Sequence, residues 1–157
     1  MKKINLEKPK NEKKSVQNFN ENFFDINKQT FLINQIYLDI EIENKNEIIR
    51  EIENKINSYK HQDIDKNILS DNLININQTI EKLVCSKMKC FYCKKQIFLI
   101  YKFARDNLQW TLDRIDNNIG HSNQNTVICC LKCNLERRRK SSDAFKFTKQ
   151  LKICKSI

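Results

Sequence analysis

Two cysteine pairs, Cys90-x2-Cys93 and Cys130-x2-Cys133, enclose the segment Trp110-Thr-Leu-Asp-Arg-Ile-Asp-Asn117 and run directly into Asn134. Four thiolates at these spacings close a tetrahedral zinc site and leave no coordination position for water, so their chemistry is structural. Cys129 beside Cys130 leaves a choice of register, and the CxxC spacing favours Cys130. Cys85 and Cys154 have no matching partners and read as small buried hydrophobes or free thiols. Metal binding would add folding free energy to a region with few large apolar residues.

Among the polar residues between the pairs are the carboxylates Asp113 and Asp116, the amides Asn117 and Asn125, and His121. An imidazole with a pKa near ~6.5 suits general-base work at neutral pH. Asp116 reads either as a second carboxylate at a metal or as a turn-capping residue, and the adjacent Asn117-Asn118-Ile-Gly120 favours the turn. Gly120, the only glycine, stands where the turn is expected to need a positive φ. His61, the other histidine, reads as a loop residue without a role.

The elements that must position these groups make an α+β chain: a helical N-terminal region followed by a small zinc-stapled module over 85–157. In the module, Cys90-Phe-Tyr-Cys93 has the form of a zinc knuckle. Strands are expected at Gln96–Phe103, Gln109–Ile115 and Thr126–Cys129, then a basic helix over Leu131–Ser141. Its start would bring the last two thiolates near the positive end of the helix dipole. Trp110, Phe91 and Tyr92 read as core, and the tail Phe145-x-Phe147…Leu151-x-Ile153 as a short helix packing back.

Residues 1–20 are Lys/Asn-rich and read as a disordered basic leader. Over 21–84 a helical hairpin is expected. Ile48, Ile49, Ile52, Ile56 and Tyr59 share one helical face, and Leu69, Leu73, Ile76, Ile80 and Leu83 another. A polar break at His61-Gln-Asp-Ile-Asp65 separates them, and Phe31–Ile42 is ambiguous between helix and strand. The apolar stripes admit a homodimer or partner surface as well as ordinary core.

Charge separates the halves. Residues 84–157 carry 16 Lys and Arg against 5 Asp and Glu, whereas residues 1–83 carry 13 against 14. A basic face of that density attracts nucleic acid through counterion release, DNA or RNA alike. Arg137, Arg138, Arg139 and Lys140 form a run suited to gripping a phosphate backbone. No apolar run is long enough to span a bilayer or to serve as a secretory signal. The expected setting is a reducing intracellular compartment, cytoplasm or nucleus of a host cell, without secretion or membrane contact. There, seven cysteines point to metal and not to disulfides.

The series Leu112-Asp113-Arg114-Ile115-Asp116-Asn117, Gly120-His121, Asn125 and Cys130-x2-Cys133-Asn134-x2-Arg137 resembles the HNH endonuclease family. More narrowly, it resembles phage and large-virus variants carrying a Leu-Asp-Arg-Ile-Asp-Asn segment. The resemblance covers about Cys90–Ser141, a third of the chain. It implies a ββα-metal fold in a treble-clef zinc frame, and a metal-dependent phosphodiesterase that nicks or cleaves DNA. On the matching positions it implies that Asp113 and Asn134 bind a catalytic Mg²⁺ or Mn²⁺, and that Asn125 orients the loop. Arg114 departs from the family, which commonly has a general-base His there. A guanidinium with a pKa above about 12 cannot accept a proton at neutral pH, although it can clamp phosphate. The proton acceptor is then expected to be His121, or metal-bound hydroxide serves in its place. Two other readings stand beside the nuclease: an inactive zinc-dependent nucleic-acid-binding module, and an assembly protein acting through its N-terminal helices.

Overall fold

The computed structural model describes residues 19–154. The basic leader expected over residues 1–20 falls almost wholly outside them. Two short 3-10 turns, Glu21–Phe24 and Ile26–Lys28, lead into α1 (Gln29–Tyr37), α2 (Lys45–Asp65) and α3 (Ile76–Cys85). Two antiparallel strands, β1 (Trp110–Arg114) and β2 (Thr126–Cys130), are followed by α4 (Leu131–Arg137) and α5 (Ser142–Gln150). The class is α+β, as expected. No helix among the described residues is long and apolar enough to cross a membrane.

Three helices stand where a hairpin was expected. α1 carries Ile33 and Ile36 into the core and ends at Tyr37, after which Asp39 and Asn44 take positive φ and break the path. No strand forms over Leu38–Ile42. α2 buries Ile48, Ile52, Ile56 and Tyr59 on one stripe, and the stripe continues one turn further to Asp63. The polar break expected at 61–65 is therefore the end of this helix. α3 begins only at Ile76, because Asn75 caps it: Gln78 N donates to Asn75 Oδ1 (2.9 Å) and Asn75 N to Gln78 Oε1 (3.1 Å). Leu69, expected on that helix, is exposed.

Gln96–Phe103 is not a strand. Leu99, Ile100 and Tyr101 are buried in succession, but the backbone of Leu99 and Ile100 pairs with no strand among the described residues. Gln29 Oε1 accepts from Leu99 N and Ile100 N (both 3.0 Å), doing for this segment what a neighbouring strand would do. Only isolated bridges, Lys89 with Gln96 and Phe98 with Gln109, remain. The sheet thus holds two strands, in the register Trp110 with Cys130 through Arg114 with Thr126.

The module does not carry a separate core. Ile33, Ile48, Ile52 and Leu83 from the helices belong to one cluster with Trp110, Leu112, Ile128 and Tyr92. Full burial of each large side chain contributes about 1.5–3 kcal/mol. Tyr59 also accepts Leu112 N on the open edge of β1 at 3.0 Å, fixing α2 against the strand. α5 buries Phe145 but leaves Phe147, Leu151 and Ile153 exposed, so Phe145 is the tail's one buried large apolar side chain, beside the Gln150 amide that donates to Phe91 O and Tyr92 O.

Candidate functional site

The Sγ atoms of Cys90, Cys93, Cys130 and Cys133 all lie within 4.8 Å of one another, compatible with a structural zinc site. Backbone amides point at two of the sulfurs, Cys93 N at Cys90 Sγ (3.5 Å) and Cys133 N at Cys130 Sγ (3.4 Å). Cys129 is not part of the cluster; it is buried beside Thr111, whose Oγ1 lies 3.3 Å from its sulfur. Cys85 and Cys154 are free and exposed. Because Cys130 ends β2 and caps α4, closing the four-sulfur site fixes α4 against the sheet.

Against the open edge of β1 lies a cleft of about 1140 Å³, lined by α2, β1, the loop 115–121 and α4 with its basic extension. Asp113, Arg114, His121 and Asn134 all reach it, as do Arg138, Arg139 and Lys140. Asn125 does not line the cleft. It sits behind the loop and clasps it: Oδ1 accepts Asp116 N (2.9 Å), and Nδ2 donates to Asp116 O, Ile119 O and Gly120 O (2.9, 3.0 and 3.1 Å). Asp116 caps the turn, accepting Asn118 N at 2.9 Å.

Arg137 requires a correction. It is only 2 % exposed, and so does not grip a nucleic-acid backbone. Its Nε donates to Asp113 Oδ2 at 2.6 Å and its Nη2 to Asp113 Oδ1 at 3.2 Å, while Nη1 reaches Lys140 O at 2.6 Å. Nη2 also donates to Arg114 O and Asn117 Oδ1. α4 stops at Arg137 because Arg138 turns to φ 50°, short of the helix to Ser141 that was expected. That turn separates the buried arginine from the exposed Arg138, Arg139 and Lys140. The Tyr92 phenol adds a third bond to Asp113, donating to Oδ2 at 2.5 Å. Burial first, then the carboxylate it serves, push that phenol above its ordinary range, so it stays a donor.

His121 has a partner that was not expected. Its Nδ1 lies 2.7 Å from Asp63 Oδ1, and its backbone N donates to Asp63 Oδ2 at 2.7 Å. Both are buried, Asp63 at 1 % and His121 at 3 % exposed. Tyr59 stacks on the imidazole at 4.7 Å, and Arg114 Nη1 stands 4.0 Å from Asp63 Oδ1. Among the described residues nothing hydrogen-bonds Nε2. Burial pulls the imidazole below its ordinary pKa, against the opposing pull of Asp63; Arg114 and Lys66 add to the lowering.

Gly120 is needed for a reason other than the one expected. Its φ is not positive. A Cβ there would meet Ile68 O at 2.6 Å and Asp63 Oδ2 at 2.8 Å, so glycine lets the loop lie directly on the end of α2.

Asn134 donates through Nδ2 to Thr111 Oγ1 (3.1 Å) and Leu112 O (3.3 Å), and among the described residues nothing donates to its amide oxygen. Sequence reasoning missed Asp63, Tyr59 and Tyr92 as parts of the site. The signal for Asp63 was available: a carboxylate at the fifth position of an otherwise apolar helical stripe.

Comparison with family models, curated proteins and solved structures gives no match.

Proposed function

We propose that this protein is an HNH-type endonuclease that hydrolyses phosphodiester bonds of DNA. The observation that supports it is the meeting of Asp113, Arg114, His121 and Asn134 on one cationic cleft, built by two antiparallel strands and a helix beside a four-cysteine cluster. Arg114 and the exposed Arg138, Arg139 and Lys140 supply positive charge for a phosphate backbone. His121 supplies a neutral imidazole at neutral pH.

Asp113 and Asn134 are the candidate ligands for a catalytic Mg²⁺ or Mn²⁺. Their donor types fit: Asp113 Oδ2 is withdrawn by Tyr92 and Arg137, but Oδ1 accepts a single long bond, and the Asn134 oxygen accepts from none of the described residues. A small hard cation takes few protein oxygens and keeps water or phosphate in its other positions. When bound, such an ion polarises the scissile phosphate and stabilises the departing 3′ oxygen.

The test is incubation of supercoiled plasmid with the purified protein in Mg²⁺, in Mn²⁺ and in a chelator of both. Conversion to open-circular or linear DNA in either metal, lost with the chelator, is expected. Intact plasmid under every condition sinks the proposal.

One observation favours a second reading. Arg137 already neutralises Asp113, which suits a zinc-dependent nucleic-acid-binding module that has lost its chemistry. That reading predicts salt-sensitive DNA retention without cleavage in any metal.

A further inference from the structure

We infer that Asp63, at the end of α2, is the positioning residue that holds His121 as the proton acceptor, so that the N-terminal helices complete the reaction centre. This rests on the nuclease reading above. It adds an acid–base pair to which α2 contributes half.

Two hydrogen bonds from one carboxylate to one histidine fix both the ring and its backbone: Oδ1 to Nδ1 and Oδ2 to the amide N, each 2.7 Å. A carboxylate on Nδ1 holds the proton on that nitrogen and leaves Nε2 as the acceptor. Nε2 is the nitrogen without a partner among the described residues, on a residue that lines the cleft. The Tyr59 ring fixes the imidazole plane from one side. Arg114 from β1 and Lys66 at the end of α2 are the cationic groups facing it, and they oppose protonation in the resting site.

Three features converge on this pair. The apolar stripe of α2 ends in a buried acid, the one chain position without a Cβ lies against that acid, and Ile74 N donates to His121 O at 2.8 Å, tying the α2–α3 connection to the same residue. A carboxylate this deeply buried is costly unless its partner is fixed.

In the reaction, Nε2 takes a proton from the attacking water as the water oxygen bonds to phosphorus. The P–O3′ bond breaks with its electron pair on O3′, which takes a proton from solvent. The products are a 5′-phosphate and a 3′-hydroxyl. Asp63 touches neither water nor phosphate; it acts through the ring.

The experiment is the pH–rate profile of plasmid nicking for the wild type and Asp63→Asn, beside nitrogen-15 imidazole spectra of the wild type. The chain has two histidines, so His61→Gln assigns the signals. Asp63→Asn should slow nicking by about 10²-fold or more and move the acid limb to lower pH, because a neutral amide no longer favours the imidazolium. The spectra should show His121 protonated on Nδ1. Nicking by Asp63→Asn at the wild-type rate, or slower with an unmoved acid limb, overturns the inference and leaves the nuclease reading standing. A proton on Nε2 in the neutral ring overturns it whatever the activity. Should Asp63→Asn not fold, those wild-type spectra still decide the tautomer. A wild type that cuts nothing in Mg²⁺ or Mn²⁺ overturns the nuclease reading and the base role with it.

Discussion

Arg137 closes on Asp113 with two nitrogens, Nε at 2.6 Å and Nη2 at 3.2 Å, and both side chains are buried. The pair locks α4 to β1 beside the cysteine cluster. Breaking such a pair from one side strands the other charge without water. Arg137→Ala should therefore cost about 3–5 kcal/mol, read as a lowered urea midpoint. The same holds in direction for Asp113→Ala, so lost cleavage in that variant reports on chemistry only after its urea midpoint has been compared with the wild type.

The cysteine cluster predicts one zinc per chain, removed together with tertiary structure by a strong chelator. Zinc binding of this kind is worth about 10–16 kcal/mol in small zinc-folded peptides. Cys130→Ser should lose the metal, and Cys129→Ser should keep it, because Cys129 faces Thr111 and not the cluster. Elemental analysis of the two purified variants decides between the adjacent residues.

Gly120→Ala sets a methyl group against Ile68 O and the Asp63 carboxylate. The loop must lift from α2, at a cost of about 1–3 kcal/mol for overpacking. The expected result is a lowered thermal midpoint together with a loss of nicking, since the same displacement pulls His121 from Asp63.

His121 also ties stability to pH. Its pKa is lowered in the fold, chiefly by burial, so the unfolded chain takes up the proton more readily. The stability it contributes is complete above the unfolded value of about 6.5 and is lost as pH falls from there toward the folded value. Denaturation midpoints should fall over that window in the wild type, and His121→Gln should flatten this part of the slope.

The exposed cations Arg138, Arg139 and Lys140 predict salt-dependent DNA binding. Replacing Arg138 and Arg139 by Ala should weaken binding across sequences and reduce the log–log salt slope by about one for each phosphate no longer neutralised. Fluorescence anisotropy over a salt series measures it.

The sequence made the zinc frame legible because CxxC spacing is local, and the same spacing separated Cys130 from Cys129. β1, β2 and the start of α4 were legible for the same reason. Gln96–Phe103 misled, since its apolar run is satisfied by Gln29, a residue some seventy positions away. Arg137 misled because it sits in a run of four basic residues that looks uniformly solvated, until the positive φ at Arg138 turns the rest outward. Asp63 lay outside the segment that carries family-like motifs, in a stretch that reads as a polar break. Its position one turn beyond Tyr59, on the buried stripe, was the only clue.

His121 is where the proposed chemistry is most exposed to test. Under single-turnover conditions in Mg²⁺, with folded, zinc-loaded protein, the rate of plasmid nicking by His121→Ala should fall by about 10²–10⁴-fold relative to the wild type. Equal rates for the two proteins, or no nicking by either, would contradict it.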